Sequence, residues 1–259
     1  MTAQPAFIEV DDIKVHFGGV RAVDGVSFTI AAGSLCGLVG PNGSGKTTLV
    51  NSLSALVHTT AGDVRMGGES LSALSAPERA RQGVRRTFQA IRLLPRLTAL
   101  ENVMLGADDG KHVLQSLFRP LTAARAQRRS REAALAALER VGLASAANEY
   151  PGALPYGHQR RVEIARALAS EPRLLLLDEP VAGMSSAERG EIADLLLGLR
   201  AEGLTQLLIE HDLGLVTAIT DHLVVMDFGK VIADGDPKTV TQEPQVREAY
   251  LGRGRHDAA

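Results

Sequence analysis

The sequence is poor in the residues that mark secreted or membrane-spanning chains. It holds one cysteine, no tryptophan and three tyrosines among 259 residues. A single cysteine cannot form an intramolecular disulfide, which fits a reducing compartment. No apolar run reaches the roughly 18 residues that a membrane-spanning helix needs, and the first residues lack the basic and apolar regions of a secretory signal. We therefore expect a cytoplasmic chain, for which any work at a membrane depends on other subunits.

The sequence also lacks an excess of charge of either sign. Its formal net charge is −2, from 28 basic and 30 acidic residues, whereas nucleic-acid binding usually requires a clearly basic surface. The basic run that contains Arg125, Arg128, Arg129 and Arg131 is interpreted as the solvated face of a helix. We therefore expect no nucleic-acid partner.

Glycine is abundant, and one segment that contains three glycines predicts phosphate binding. Gly40 to Thr48 reads Gly-Pro-Asn-Gly-Ser-Gly-Lys-Thr-Thr, the pattern of a P-loop, and it lies between a predicted strand and a predicted helix. Such glycines let successive N–H groups converge on phosphate oxygens, and the helix adds its positive end. A glycine-rich turn without a ligand is the alternative, which the combined pattern disfavours. The expected nucleotide-binding residues are Gly40, Pro41, Asn42, Gly43, Ser44, Gly45, Lys46, Thr47 and Thr48.

An acidic pair supplies the second half of a nucleotide hydrolysis site. Asp178 and Glu179 directly follow the apolar run from Leu174 to Leu177. Solvated charges often end a strand, but downstream of a P-loop this pair predicts chemistry. Asp178 and the Thr47 hydroxyl are expected to hold Mg²⁺, and Glu179 is expected to polarise the attacking water.

The order of predicted elements indicates an α/β fold. Alternation of apolar and polar residues from Phe7 to Ile30 predicts antiparallel strands. Val84 to Gln89 is predicted as a strand, and from Ala99 to about Leu168 the periodicity is helical. We expect one domain over residues 1–259: a P-loop NTPase core, an antiparallel β subdomain, an inserted α-helical subdomain at about 90–170, and a C-terminal helix and tail at 240–259.

The order of motifs resembles the ATP-binding subunits of ATP-binding cassette (ABC) transporters over nearly the whole chain. The matching motifs are Gly40–Thr48 (Walker A), Gln89 (Q-loop), Leu154–His158 (signature), Leu174–Glu179 (Walker B with the catalytic Glu), Ala182–Ser185 (D-loop) and His211 (switch His). The run from Tyr156 to Arg161 looks most like the branched-chain amino acid uptake branch.

The resemblance implies roles for residues that the pattern alone does not explain. Phe17 falls at the position that stacks on adenine, although it could equally be a core aromatic. Gln89 would contact Mg²⁺ or the attacking water and sense the membrane partner, and His211 would contact the γ-phosphate. Each ATP would lie between one P-loop and the signature of a second cassette that is arranged head to tail. In this chain the signature positions are Pro155, Tyr156, Gly157 and His158.

Two positions depart from the family pattern. Pro155 stands where relatives have a Ser that donates a hydroxyl to the γ-phosphate, and proline has neither a hydroxyl nor an N–H. Ser185 stands where many relatives have Asp. Because the P-loop half of the site keeps its motif residues and the signature half does not, we expect the second cassette to be a different chain.

The resemblance implies an ATPase that powers uptake of branched-chain or other amino acids, with ATP and Mg²⁺ as ligands. Separate transmembrane permease subunits would be its partners on the cytoplasmic face of the inner membrane, and a solute-binding protein would act only indirectly. Export, and another cargo such as urea or lipid, remain open within the family. A soluble non-transport ABC ATPase is less favoured because it would need a long coiled-coil insertion or two cassettes in one chain, and the sequence shows neither. Gln89, the Tyr156-Gly157 run and His211 in series argue against a P-loop kinase or GTPase, and Glu179 argues against a regulatory module without catalysis.

Overall fold

Two β-sheets and a set of flanking helices make up the computed structural model, which describes residues 6–107 and 120–251. The strands are β1 (Ala6–Phe17), β2 (Val20–Ala31), β3 (Leu35–Val39), β4 (Ala61–Met66), β5 (Glu69–Ser70), β6 (Val84–Arg86), β7 (Leu174–Asp178), β8 (Thr205–Ile209), β9 (His222–Asp227) and β10 (Lys230–Gly235). The helices are α1 (Lys46–Leu53), α2 (Ala76–Arg81), α3 (Ala99–Ala107), α4 (Pro120–Arg140), α5 (Tyr156–Leu168), α6 (Ser186–Ala201), α7 (Leu213–Ile219), α8 (Pro237–Val240) and α9 (Pro244–Leu251), with 3₁₀ turns at Ala144–Ala146 and Pro151–Ala153. The tail expected after α9, and residues 108–119 of the expected helical block, lie outside the described residues.

The described chain folds as two units. The first holds residues 6–84, 174–179 and 196–251, and the second holds residues 85–107, 120–173 and 180–195. No helix in these ranges is both long enough and apolar enough to cross a bilayer.

A six-stranded sheet in the order β10-β9-β3-β8-β7-β6 positions the loops of the first unit. β3 pairs in parallel with both β8 and β9, and β7 pairs in parallel with β8. The segments after Val39, Asp178 and Ile209 therefore leave the sheet at the same edge. In parallel α/β sheets this edge is where ligands bind.

An antiparallel sheet in the order β2-β1-β4-β5 forms the other layer of the first unit. The predicted strands between Phe7 and Ile30 are confirmed, since β1 pairs antiparallel with β2 from Ala6↔Ala31 to Phe17↔Val20. Buried residues of both sheets and of α1, such as Ile13, Leu38 and Leu49, form one apolar cluster. Burial of such side chains is the main stabilising contribution to this unit.

The second unit contains the helices α3, α4 and α5, together with the first part of α6. The strand predicted over Val84 to Gln89 is shorter than expected, since it ends at Arg86. The carbonyls of Phe88 and Gln89 each accept a hydrogen bond of 2.6 Å from the Arg160 guanidinium. These carbonyls are thereby bonded to a side chain instead of to a neighbouring strand.

Candidate functional site

The glycine-rich loop lies between β3 and α1, as the sequence predicts. All five residues of β3 are buried, and α1 begins at Lys46 behind a Gly45 N-cap with φ of 102°. A Cβ on Gly40 would collide with the carbonyl oxygen of Met226, and one on Gly45 would collide with the carbonyl oxygen of Ala22. Only glycine fits such close backbone approaches. Packing against neighbouring backbone therefore requires glycine at both positions.

The Lys46 ammonium is held inside the loop. The side chain is buried, and its Nζ donates hydrogen bonds to the carbonyl oxygens of Gly40 at 2.7 Å and Pro41 at 3.0 Å. A buried cation beside the first turn of α1 adds positive charge to the helix end, which already favours anions. The loop therefore offers a site for phosphate.

Backbone hydrogen bonds fix the loop to the β9–β10 turn. The Gly229 N–H donates to the Ser44 carbonyl at 2.9 Å, and the Gly229 carbonyl accepts from the Asp24 N–H at 2.8 Å. The start of β2 and the turn are thereby tied to the P-loop. Their fixed positions shape the walls of the space beside the loop.

A cavity of about 420 Å³ opens beside the loop and brings several predicted residues together. Its lining includes seven predicted loop residues, 42–48, and the predicted catalytic residue Glu179. Five other lining residues belong to none of the predicted motifs: Val20, Arg21, Ala22, Phe228 and Gly229. The sequence feature that could have indicated them is the pair of glycine turns, one before Val20 and one after Phe228. Such turns expose the side chains next to them.

The acidic pair is positioned by the parallel strands. Asp178 ends β7 and is buried, with 5% of its surface exposed. The Glu179 N–H donates to the carbonyl of Ile209 at the end of β8, 3.0 Å away, and Glu179 adopts a φ of 46°. This uncommon backbone conformation for a non-glycine residue directly follows the buried strand. The residue with this conformation, Glu179, lines the cavity.

Five predicted residues of the first unit lie outside the cavity lining: Phe17, Gly40, Pro41, Asp178 and His211. His211 follows β8, its side chain is 61% exposed, and its Nδ1 lies 3.8 Å from Glu210 Oε2. Phe17 ends β1 with about half of its surface exposed and pairs with Val20, which does line the cavity. The exposed aromatic ring of Phe228 belongs to the lining itself. The structure thus offers two aromatic candidates for a stacking role instead of one.

The oxygen donors of the first unit suit a magnesium ion. Thr47 contributes a hydroxyl in the first turn of α1, and Asp178 contributes a carboxylate at the end of β7. Both are hard oxygen ligands, the type that Mg²⁺ takes in nucleotide sites along with phosphate oxygens and water. These donors therefore fit the expected ion.

The signature residues lie at the start of α5 in the second unit. Pro155 is the N-cap, with φ of −54° and ψ of 154°, and no side chain caps the helix. Tyr156 is 43% exposed, Gly157 is buried and His158 is half-buried. The predicted loss of a hydroxyl at the N-cap thus falls on the first turn of a helix.

Arg160 connects this helix to the expected Q-loop, and the sequence analysis missed it. Its guanidinium is fully buried, forms an ion pair of 2.9 Å with Glu163, and donates to the carbonyls of Phe88 and Gln89. Burial raises the pKa of Glu163, against the opposing influence of the Arg92 N–H and of Arg160. Gln89 is exposed, and its backbone carbonyl is held by the hydrogen bond from Arg160 of α5.

Comparisons with known proteins agree with this geometry. A family model described as ABC transporter matches residues 23–182, and one described as branched-chain amino acid ATP-binding cassette transporter matches residues 230–256. The chain is 41% identical to the high-affinity branched-chain amino acid transport ATP-binding protein BraF of Pseudomonas aeruginosa, over 95% of this chain and 97% of the relative. It is 39% identical to the corresponding protein LivG of Salmonella typhimurium, over 96% of this chain and 99% of the relative.

Solved structures give the same result. A nucleotide-free ATP-binding cassette from an ABC transporter superposes with a TM-score of 0.84 at 33% identity, covering 95% of this chain and 99% of the other. The ADP conformation of an ATP-binding cassette of an ABC transporter also has a TM-score of 0.84, at 32% identity, covering 96% of this chain and all of the other.

Proposed function

We propose that this chain, which belongs to the ABC transporter family, is the ATP-hydrolysing subunit of an importer for branched-chain or other amino acids. The observation that carries the proposal is the cavity in which the P-loop meets Glu179. The names of BraF and LivG support the cargo class, because both are branched-chain amino acid transport ATP-binding proteins that align over nearly their full length.

Each predicted site residue has a proposed task. Gly40 to Thr48 bind the phosphates through backbone N–H groups, and Lys46 adds its charge at the β- and γ-phosphates. Asp178, Thr47 and Gln89 hold Mg²⁺, which when bound neutralises the charge of the phosphate oxygens. Glu179 polarises the attacking water.

The proposal also assigns partners outside the chain. His211 contacts the γ-phosphate, and the signature of a second cassette closes over the P-loop in a head-to-tail dimer. Two solved structures of one related cassette are described as dimeric, and one of them is bound to ADP and phosphate. This chain lies on the cytoplasmic face of the inner membrane, where ATP shifts the population towards the closed dimer. Transmembrane permease subunits receive the resulting motion.

Replacement of Glu179 tests the catalytic assignment. We expect Glu179→Gln to bind ATP and to lose hydrolysis, because an amide cannot act as the base for water. Phosphate release and retention of labelled ATP measure the two effects, with the exposed Glu69→Gln as the matched control. Turnover at the parental rate in Glu179→Gln contradicts the assignment.

The cargo is tested separately from the ATPase. The genes beside this one are expected to encode two membrane proteins, a solute-binding protein and a second cassette. When these proteins are reconstituted in vesicles, leucine, isoleucine or valine should stimulate ATP hydrolysis and accumulate inside. Stimulation by urea or by a lipid, and not by amino acids, contradicts the proposed cargo while leaving the ATPase assignment intact.

A further inference from the structure

A carboxylate lies against the first turn of the signature helix α5. A Cβ on Gly157 would be 3.0 Å from Glu188 Oε1 and 3.4 to 3.5 Å from two carbons of the same side chain. Glu188 belongs to α6, and both residues lie within the second unit. The negative group is therefore packed directly on the glycine of the signature.

The position of Glu188 is fixed by a capping box. The N–H and the hydroxyl of Ser185 donate to Glu188 Oε2 at 2.9 Å and 2.7 Å. This leaves Oε1 as the oxygen that faces Gly157. The same interaction occupies the hydroxyl of Ser185, the D-loop residue that stands where many relatives have Asp.

Glu188 is ionised at neutral pH. The hydroxyl and the N–H of Ser185, together with smaller contributions from the Gly157 N–H and from His158, hold the pKa of Glu188 below its usual value. An ionised carboxylate beside a helix N-terminus interacts favourably with the partial positive charge there. The start of α5 thus already interacts with an anion that belongs to the protein itself.

We propose that Glu188 is a built-in competitor of the γ-phosphate for the signature helix, and that it weakens ATP-driven closure on the side where this chain supplies the signature. The inference rests on the proposed function, in which the Gly157 N–H and the α5 N-terminus bind the phosphate that a second cassette presents. A phosphate that arrives there meets a like charge and an N–H that already faces a carboxylate. Pro155 and Glu188 then act in the same direction.

The test removes the charge and retains the cap. A capping box accepts Gln as well as Glu at the N3 position of the helix, so Glu188→Gln is expected to fold. The matched control is Glu101→Gln, because the Thr98 N–H and hydroxyl bind Glu101 Oε2 at 2.8 Å and 2.9 Å in the same arrangement at the start of α3. Both changes are made in the full chain with Glu179→Gln, which arrests hydrolysis.

Light scattering during an ATP titration measures dimer formation by each variant. We expect Glu188→Gln to lower the ATP concentration for half-maximal dimer by about threefold to tenfold, the range for one charge at a helix end, while Glu101→Gln leaves it unchanged. The inference is overturned if Glu188→Gln leaves the ATP concentration for half-maximal dimer unchanged or raises it. It is also overturned if none of the variants forms a dimer. Binding of a fluorescent ATP analogue distinguishes failure of this inference from failure of the proposed function. If the Glu179→Gln parent does not bind the analogue, the proposed function is overturned as well.

Discussion

Two helix N-termini, those of α1 and α5, are surrounded by groups of opposite charge. The first turn of α1 holds the buried Lys46 ammonium and a glycine-rich loop. The first turn of α5 holds Pro155 as an N-cap and the Glu188 carboxylate against Gly157. Both ends have a dipole that attracts anions, so the difference lies in the side chains that the sequence places there.

Under the proposed function, this difference would make one chain contribute unequally to two ATP sites. Lys46 adds to the dipole of α1, whereas Glu188 opposes anion binding at α5. A site that combines this P-loop with another chain's signature would retain all expected groups, and a site that uses this chain's signature would be weaker. The predictions below alter one of the two units at a time.

The largest expected effect is on stability, and it concerns how the second unit is held together. Arg160→Met leaves the buried Glu163 with Arg166, 3.3 Å away, as its remaining ion-pair partner, and it removes the donor to the Phe88 and Gln89 carbonyls. Removal of one member of a buried pair is expected to lower the free energy of unfolding by about 3–5 kcal/mol. Urea unfolding followed by circular dichroism measures this effect.

Arg128→Met is the control for that experiment. Its partner Glu132 is 2.8 Å away, but both side chains are more than half exposed, and exposed pairs contribute little. The free energy of unfolding should stay essentially the same. An equally large loss in both variants contradicts the special role of the buried network.

The next largest effect is on nucleotide binding by the first unit. Lys46→Ala removes the cation that is hydrogen-bonded to the Gly40 and Pro41 carbonyls. Loss of hydrogen bonds between a charged group and phosphate is expected to weaken ATP binding by roughly a hundredfold. Calorimetry measures the change, with the exposed Lys238→Ala as the control, and parental affinity in Lys46→Ala argues against phosphate binding at the loop.

A smaller effect is expected when the signature hydroxyl is restored. Pro155→Ser supplies both an N-cap side chain and an N–H at the start of α5. One added hydrogen bond to a charged group should strengthen ATP-dependent dimer formation by roughly tenfold or more. A titration in the Glu179→Gln background measures this, and weaker dimer formation by Pro155→Ser shows that proline is the better residue here.

The smallest effect distinguishes the two aromatic residues near the cavity. Phe17→Ala is expected to raise the KM for ATP by about threefold to tenfold, the contribution of one stacked ring. Phe228→Ala is the comparison, because Phe228 lines the cavity and Phe17 does not. A larger rise for Phe228→Ala would transfer the stacking role to the β9–β10 turn.

Local pattern predicted the parts of this fold that depend on local physics. The strand before the P-loop and the strand that ends at Asp178 each have a continuous apolar run, the helix α1 follows from the P-loop motif, and all three are present. Alternation also predicted the pairing of β1 with β2. Motif spacing was sufficient to place residues 42–48 and Glu179 at one cavity.

The remaining features depend on contacts between distant residues. The strand over Val84 to Gln89 is shortened by Arg160, more than 70 positions along the chain. The Glu188 contact with Gly157 joins two helices that are separate in sequence. The sequence near Gln89 or Gly157 does not predict Arg160 or Glu188 as a partner, because such contacts form only when distant segments pack together.

Reciprocal P-loop changes test the asymmetry of the two sites most directly. This chain is assembled with its partner cassette and permease, and the ATPase rate is compared between Lys46→Ala and the equivalent lysine change in the partner cassette. We predict that Lys46→Ala abolishes most of the hydrolysis, while the change in the partner leaves most of it. Loss of hydrolysis caused by the partner's change alone, with Lys46→Ala active, contradicts the account.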